Sequence, residues 1–135
     1  MMNKQFWMLA VASSFLMATH ASAMTSQEHK VAKEKIEAAY KVDKAKCDAL
    51  KDNAKDVCMK EAKAKEKVAK AELEQQYKPS DRNMRKVAEE KADTTYDVAK
   101  EKCDDLAGDA KNACQNQAKA DHDKAKAELK AMKKG

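Results

Sequence analysis

The sequence CDALKDNAKDVC at positions 47–58 begins and ends with cysteine, and CDDLAGDAKNAC at positions 103–114 repeats that arrangement. Eleven residues rise about 16 Å along one continuous α-helix, whereas the Cα atoms of a disulfide lie within about 7 Å of each other. A helical hairpin that turns near Asp52–Asn53, or near Gly108–Asp109 in the second stretch, places its two cysteines side by side on neighbouring helices. We therefore favour the disulfides Cys47–Cys58 and Cys103–Cys114 among the three pairings that four cysteines allow.

An unbroken helix is the alternative to the hairpin. Its cysteines could pair only between chains or between the two stretches, which would give long continuous helices or a coiled coil. Both architectures are all-α, because Ala, Lys, Glu, Leu and Gln dominate and the chain has only one proline and two glycines. We predict two tandem disulfide-stapled helical hairpins, four helices in all, extended or loosely bundled.

The two cysteine-bounded stretches belong to a longer internal repeat. Shifting the chain by 56 residues aligns positions 30–73 with positions 86–129 without a gap, and 23 of these 44 positions are identical. Shared Ala and Lys could arise by chance in a chain of this composition. Tyr40 with Tyr96 and Leu50 with Leu106 also match in register, so the repeat is a real duplication. An apolar seam in each copy predicts helix packing, and we place Leu50 and Leu106 on it.

Few residues in the chain can end a helix. Thr25 followed by Glu28 fits a capping box, and Pro79 followed by Ser80 predicts a break with a new cap. Inside each copy, Asp52–Asn53 and Gly108–Asp109 are the expected breaks and caps. These positions divide the chain into hairpin repeat 1 at residues 24–78, a linker at residues 79–82 and hairpin repeat 2 at residues 83–135.

Residues 1–23 have the pattern of a cleaved secretory signal peptide. Lys4 precedes an apolar run from Phe6 to Met17, and small residues at positions 21–23 form a cleavage site. The run is too short and too interrupted for a membrane anchor. We therefore predict a periplasmic protein without stable membrane insertion after cleavage. Cysteines exported from the cytoplasm favour disulfides over free thiols or zinc sites.

The sequence offers little chemistry for catalysis. His29 and His122 do not align with each other, and no nucleophile, base and carboxylate set recurs in both copies. His122 lies between Asp121 and Asp123, but neighbours on a helix point in different directions, so a solvated charged face is the preferred interpretation. With 38% charged and 4% aromatic residues, we predict no enzyme activity, no cofactor and no metal site.

Composition also narrows the set of partners. Acidic residues alternate with lysines, and only Arg82 and Arg85 could make bidentate phosphate contacts, so we predict no nucleic-acid binding. The apolar stripes consist mostly of alanine, which anchors a helix poorly at a membrane surface. An envelope protein or an anionic envelope polymer remains as partner, and self-association stays open.

The stretches YKVDKAKCDAL (40–50) and NAKDVCMKEAK (53–63) resemble small exported proteobacterial proteins that repeat a Cys-x10-Cys helical unit. Some of these are labelled TolA-like because of their Ala/Lys/Glu-rich helices. The resemblance implies a Gram-negative periplasm and leaves the activity open. Our leading hypothesis is a non-enzymatic envelope or stress-related interaction module with chaperone-like contacts.

The alternative function is a thiol-based metal (copper) or redox buffer. Reduced cysteines together with Met59, Met84 or Met132 would offer the soft ligands that Cu(I) prefers. The eleven-residue cysteine spacing is not a recognised metal motif, and no Cys-x-x-Cys is present to lower a thiol pKa. Structural disulfides are therefore the expected state of Cys47, Cys58, Cys103 and Cys114.

Overall fold

The computed structural model describes residues 23–133. The predicted signal peptide lies outside this range except for Ala23. The described residues form four α-helices and no strand: α1 (Ser26–Cys47), α2 (Asp52–Tyr77), α3 (Asp81–Cys103) and α4 (Gly108–Met132). Disulfides join α1 to α2 and α3 to α4. The prediction of two stapled helical hairpins is confirmed, and the alternative of long continuous helices is wrong.

The helices lie side by side in the order of the chain. Helix α1 packs on α2, α2 on α3 and α3 on α4, and within residues 23–133 α1 makes no contact with α3 or α4. Successive helices run in opposite directions, so both disulfides lie at one end of the array, which we call the stapled end. The start of α1, the linker before α3 and the end of α4 lie together at the opposite, open end. The two hairpins thus form one layer of helices.

Two of the predicted helix starts carry the expected caps. The Thr25 hydroxyl accepts a hydrogen bond from the backbone N–H of Glu28 at 3.2 Å, and the Glu28 carboxylate accepts one from the Thr25 N–H at 2.8 Å. The Ser80 hydroxyl accepts from the Asn83 N–H at 3.0 Å. These bonds satisfy backbone donors that a helix start leaves without a partner.

The turn inside each hairpin lies earlier than the sequence predicts. The breaks occupy residues 48–51 and 104–107, so Asp52 and Gly108 are the first residues of α2 and α4 rather than the end of the preceding helices. The backbone N–H of Leu50 donates to the Cys47 carbonyl at 3.0 Å, and Leu106 does the same to Cys103. These tight bonds close α1 and α3 at the cysteines. The prediction of Asp52–Asn53 and Gly108–Asp109 as breaks and caps is therefore wrong by about one turn.

The shifted turns also change the apolar seams. Leu50 and Leu106 lie in the turns and are 42% and 43% exposed. Their placement on the seams was therefore wrong, because each seam ends at the disulfide. The residues at positions 51 and 107 precede the new helices without a side-chain cap.

Asp52 and Gly108 adopt the left-handed backbone conformation at equivalent positions of the repeat, with φ of +52° and +56°. This conformation costs an L-residue about 1 kcal/mol or more but suits glycine. A Cβ at Gly108 would meet no atom within 4 Å, so only the backbone would oppose it. We expect Gly108→Ala to destabilise the protein by about 1 kcal/mol and Asp52→Gly to stabilise it by a similar amount.

Urea denaturation of the mature chain measures both changes. Ala110→Gly, in the exposed first turn of α4, is the matched control, because glycine there has an ordinary helical conformation and only lowers stability. A loss of stability in Asp52→Gly would contradict the conformational argument.

The two inner helices supply most of the core. The buried residues of α2 are Ala62, Glu66, Ala71 and Leu73, and those of α3 are Thr94 and Cys103, whereas the outer helices contribute Cys47 and Ala118. The α2–α3 contact is also bridged by polar groups: Asn53 donates to the Glu101 carbonyl at 3.0 Å, and Glu72 pairs with Lys91 at 2.7 Å. We call this contact the α2–α3 seam, and it joins the two hairpins into one array.

Candidate functional site

The predicted disulfides link the helices where the sequence places them. The Cα atoms of Cys47 and Cys58 are 5.4 Å apart, and those of Cys103 and Cys114 are 5.6 Å apart. Cys47 and Cys103 are completely buried, and no free cysteine is left in residues 23–133. Each bridge therefore joins a buried cysteine on α1 or α3 to a partly exposed cysteine, Cys58 or Cys114, on the next helix.

Ion pairs join neighbouring helices more often than the sequence suggests. Spacing of four residues predicts Glu61 with Lys65 and Glu74 with Lys78 on single helices. In the structure Glu61 instead pairs with Lys102 of α3 at 2.8 Å, and Glu74 bonds to His29 of α1 at 2.7 Å. The charged faces are thus part of the contact between helices.

The same spacing of four residues predicts a pair of Glu66 with Lys70 on α2, and this intrahelical pair does form. The Glu66 carboxylate, only 9% exposed, accepts hydrogen bonds from Lys70 at 2.7 Å and Lys63 at 3.1 Å. The hydrogen bond from Lys70 and that from Lys63 outweigh burial and hold the pKa of Glu66 below its usual value. Lys70 also reaches Glu37 of α1 at 3.5 Å. This lysine therefore connects the two helices of hairpin 1.

Each hairpin contains a histidine that is bonded to a carboxylate and stacked on a tyrosine. In hairpin 1, His29 Nε2 lies 2.7 Å from Glu74 Oε1, and its ring centroid is 4.3 Å from that of Tyr77. In hairpin 2, His122 Nε2 lies 2.7 Å from Asp93 Oδ1, and its ring centroid is 4.7 Å from that of Tyr96. We call these the histidine clusters.

The cluster of hairpin 2 corrects the interpretation of His122 as part of a solvated face, and His29 is enclosed in the same way. The side chains of His29 and His122 are 19% and 20% exposed. A carboxylate and a tyrosine three residues apart share one helix face, and this spacing recurs as Glu74 with Tyr77 and Asp93 with Tyr96. That recurrence is the sequence signal for a cluster. It does not identify the histidine, which comes from another helix.

The clusters clamp helices together and show no arrangement for metal binding. No three His, Cys, Asp or Glu side chains in residues 23–133 converge as metal ligands would. Each histidine has one carboxylate partner and one ring partner. The two clusters also occupy different positions of the repeat, because His122 aligns with Glu66 and His29 aligns with Arg85.

The cluster of hairpin 2 makes stability dependent on pH. Burial raises the pKa of Asp93, but hydrogen bonds from His122 and Lys126 outweigh it and leave this pKa below the ordinary 3.8. A carboxyl group with a lowered pKa stabilises the fold above its ordinary pKa, and this contribution is lost as the pH falls through the lowered value.

We therefore expect Asp93→Asn to lower stability at neutral pH and to leave a flatter loss of stability below about pH 4. Thermal denaturation by circular dichroism at several pH values measures this. Asp97→Asn is the matched control, since Asp97 is exposed one turn further along α3 and forms no ion pair in the described chain. Parallel pH profiles for the wild type and Asp93→Asn would contradict the assignment.

An alanine-lined groove lies between α3 and α4. Its volume is about 400 Å³, and its walls include Ala92, Ala125, Tyr96 and His122. The aligned position of Ala92 in hairpin 1 is Ile36. The small side chain at position 92 is therefore one reason why the groove stays open in hairpin 2.

No family model matches the chain, and no curated protein and no solved structure is significantly similar to it. Among residues 23–133, no helix combines the length and the apolar character needed to cross a bilayer.

Proposed function

We propose that this protein is a non-enzymatic periplasmic interaction module that makes chaperone-like contacts with partly unfolded envelope proteins. The alanine-lined groove between α3 and α4 carries this proposal. Its apolar floor lies between charged side chains at the rim, including Lys91 and Glu128. A groove of this kind fits an apolar side chain of a client while its charged rim stays hydrated.

The apolar surface continues from this groove towards α2. Ala88 and Lys91 line both this groove and a second depression between α2 and α3, which also includes Met84. Met84 and Met132 are 59% and 60% exposed. Methionine side chains are flexible and polarisable, so they adapt to apolar partners of different shape. A single layer of helices leaves this surface uncovered, as a binding surface for varied clients requires.

The two disulfides support the location. Such bridges persist in oxidising, exported compartments and are rare in the cytoplasm. Together with the signal-peptide pattern of residues 1–23, they favour the periplasm. The disulfides also stabilise the hairpins, so the fold does not depend on a large apolar core. Apolar residues can therefore remain at the surface.

Ala92→Ile tests the groove by introducing the residue that hairpin 1 has at the equivalent position. We expect the mature chain to suppress light scattering by thermally unfolding citrate synthase, and Ala92→Ile to weaken this suppression. Ala120→Ile is the control, because Ala120 is exposed on α4 and bears the same cost of a β-branched residue in a helix. No suppression by the wild type, or equal suppression by both variants, would refute the proposal.

The alternative, a thiol-based copper or redox buffer, needs reduced cysteines. All four cysteines are paired in the structure, which favours a structural role for them. Thiol titration and intact mass of protein taken from the periplasm distinguish the two functions. Free thiols with bound copper would support the buffer, whereas a mass lower by the four hydrogens of two disulfides would support structural bridges and count against the buffer.

A further inference from the structure

A cleft of about 570 Å³ opens between the start of α3 and the end of α4, at the open end of hairpin 2. Both arginines of the chain line it, together with four lysines, and the acidic residues at the cleft are Glu89 and Glu90. The six cationic side chains are Arg82, Arg85, Lys86, Lys126, Lys130 and Lys133. We call this cleft the basic mouth. Its formal charge is four units positive, since six cations face two carboxylates.

Most of these cations have no carboxylate partner among residues 23–133. Lys126 pairs with Glu89 at 2.8 Å and with Asp93 at 3.1 Å. The other five cationic side chains form no ion pair in the part of the chain that the structure describes. The positive end of α3 and the negative end of α4 meet here, so the helix dipoles oppose each other. The positive potential of the basic mouth therefore comes from its side chains.

Hairpin 1 shows what the same place looks like when it is closed. There, His29 and Glu74 bond at 2.7 Å and Tyr77 stacks on the histidine. The 56-residue shift replaces each of these residues by a cation, and like charges repel instead of pairing. The replaced pairs are His29 with Arg85, Glu74 with Lys130 and Tyr77 with Lys133. One copy of the repeat thus has a clamp where the other has an open basic cleft.

We propose that the basic mouth binds an anion that carries two or more neighbouring phosphate groups. Arginine guanidinium groups form bidentate, charge-assisted hydrogen bonds with phosphate oxygens. The lysines at positions 126, 130 and 133 spread along about 10 Å of α4 and face the arginines of α3. A cleft that concentrates one sign of charge attracts such an anion at long range. The basic mouth is a second binding site beside the alanine-lined groove, and the two sites have separate tests.

The first test measures binding of inorganic tripolyphosphate to the mature chain by isothermal titration calorimetry. The closing variant, Arg85→His with Lys130→Glu and Lys133→Tyr, installs the hairpin 1 clamp in hairpin 2. We expect one ligand per chain in the wild type and binding weaker by about tenfold or more in the closing variant, since each lost charge-assisted contact contributes a comparable factor.

The control for the closing variant changes the net charge equally. Replacing the exposed residues Lys33, Lys35, Lys41 and Lys44 of α1 by glutamine removes four charges, as the closing variant does. Binding that falls equally in both variants would show attraction by the whole protein and would overturn the proposal. A circular dichroism melt of the closing variant shows whether the helices remain folded.

The opening variant keeps the proposal testable if the closing variant unfolds. Ser26→Arg with His29→Arg, Glu74→Lys and Tyr77→Lys gives hairpin 1 every cation of the basic mouth, because Lys30 and Lys70 already match Lys86 and Lys126. We expect a second tripolyphosphate to bind. Cardiolipin in phosphatidylcholine vesicles distinguishes the source of the phosphates. Binding to vesicles alone, weakened by the closing variant, assigns a lipid headgroup, and binding to tripolyphosphate assigns a free anion. Binding to neither probe, or an opening variant without a second site, would overturn the proposal.

Discussion

Replacing Cys47 and Cys58 by alanine is expected to lower the free energy of unfolding by about 3 kcal/mol. The disulfide closes a short loop, and this is the stabilisation that restricting the unfolded chain provides for such a loop. The loss is large because small helical domains have only about 5–15 kcal/mol in total. Urea denaturation followed by circular dichroism at 222 nm measures it.

The second disulfide is the matched control for this prediction. Cys103→Ala with Cys114→Ala removes a bridge of nearly identical geometry, since the Cα–Cα distances are 5.4 Å and 5.6 Å. We expect a similar loss in each double variant and an unfolded or barely folded chain when all four cysteines are replaced. Wild-type stability in the variant that lacks all four cysteines would show that helix packing alone stabilises the array.

The disulfides could be predicted from the sequence because local chain geometry determines them. Two residues eleven positions apart on a helix are too distant to bond, and the duplicated spacing makes coincidence improbable. The position of the turn is less predictable: the chain reverses before Asp52–Asn53 and before Gly108–Asp109, about one helical turn earlier than these residues predict. Asp52, Asn53 and Gly108 are residue types that are common at helix ends. The backbone hydrogen bonds that end α1 and α3 nevertheless form at the cysteines, and residue type alone does not predict where those bonds form.

The candidate sites could be predicted only in part. Glu74 with Tyr77 is visible as a spacing, but its partner His29 lies 45 residues away in sequence from Glu74, and only the packing of α1 on α2 brings them together. The basic mouth was missed for the same reason. Acidic residues and lysines alternate along the chain, yet the helical array gathers both arginines and four lysines at one end. Local pattern predicts helices, and the pairing of helices determines which charges meet.

Leu73→Ala is expected to cost about 2–3 kcal/mol, as truncation of a buried leucine does. Leu73 is only 5% exposed and is the largest aliphatic side chain in the core. Leu129 occupies the aligned position of hairpin 2 but is partly exposed, because α4 has a helix on one side while α2 has one on each. We expect Leu129→Ala to cost only about 1 kcal/mol, in keeping with its smaller buried area.

The difference in free energy of unfolding between Leu73→Ala and Leu129→Ala shows whether the two hairpins fold independently or as one unit. If the hairpins folded independently, the aligned truncations would cost nearly the same, and each variant would unfold in two steps. If the α2–α3 seam joins them, Leu73→Ala weakens both hairpins at once, and unfolding remains a single transition at lower urea. Comparing the free energies from urea denaturation with the unfolding of each isolated hairpin peptide measures this coupling. Equal losses for the two variants would show that the seam adds little, despite the polar bridges from Asn53 and Glu72 across it.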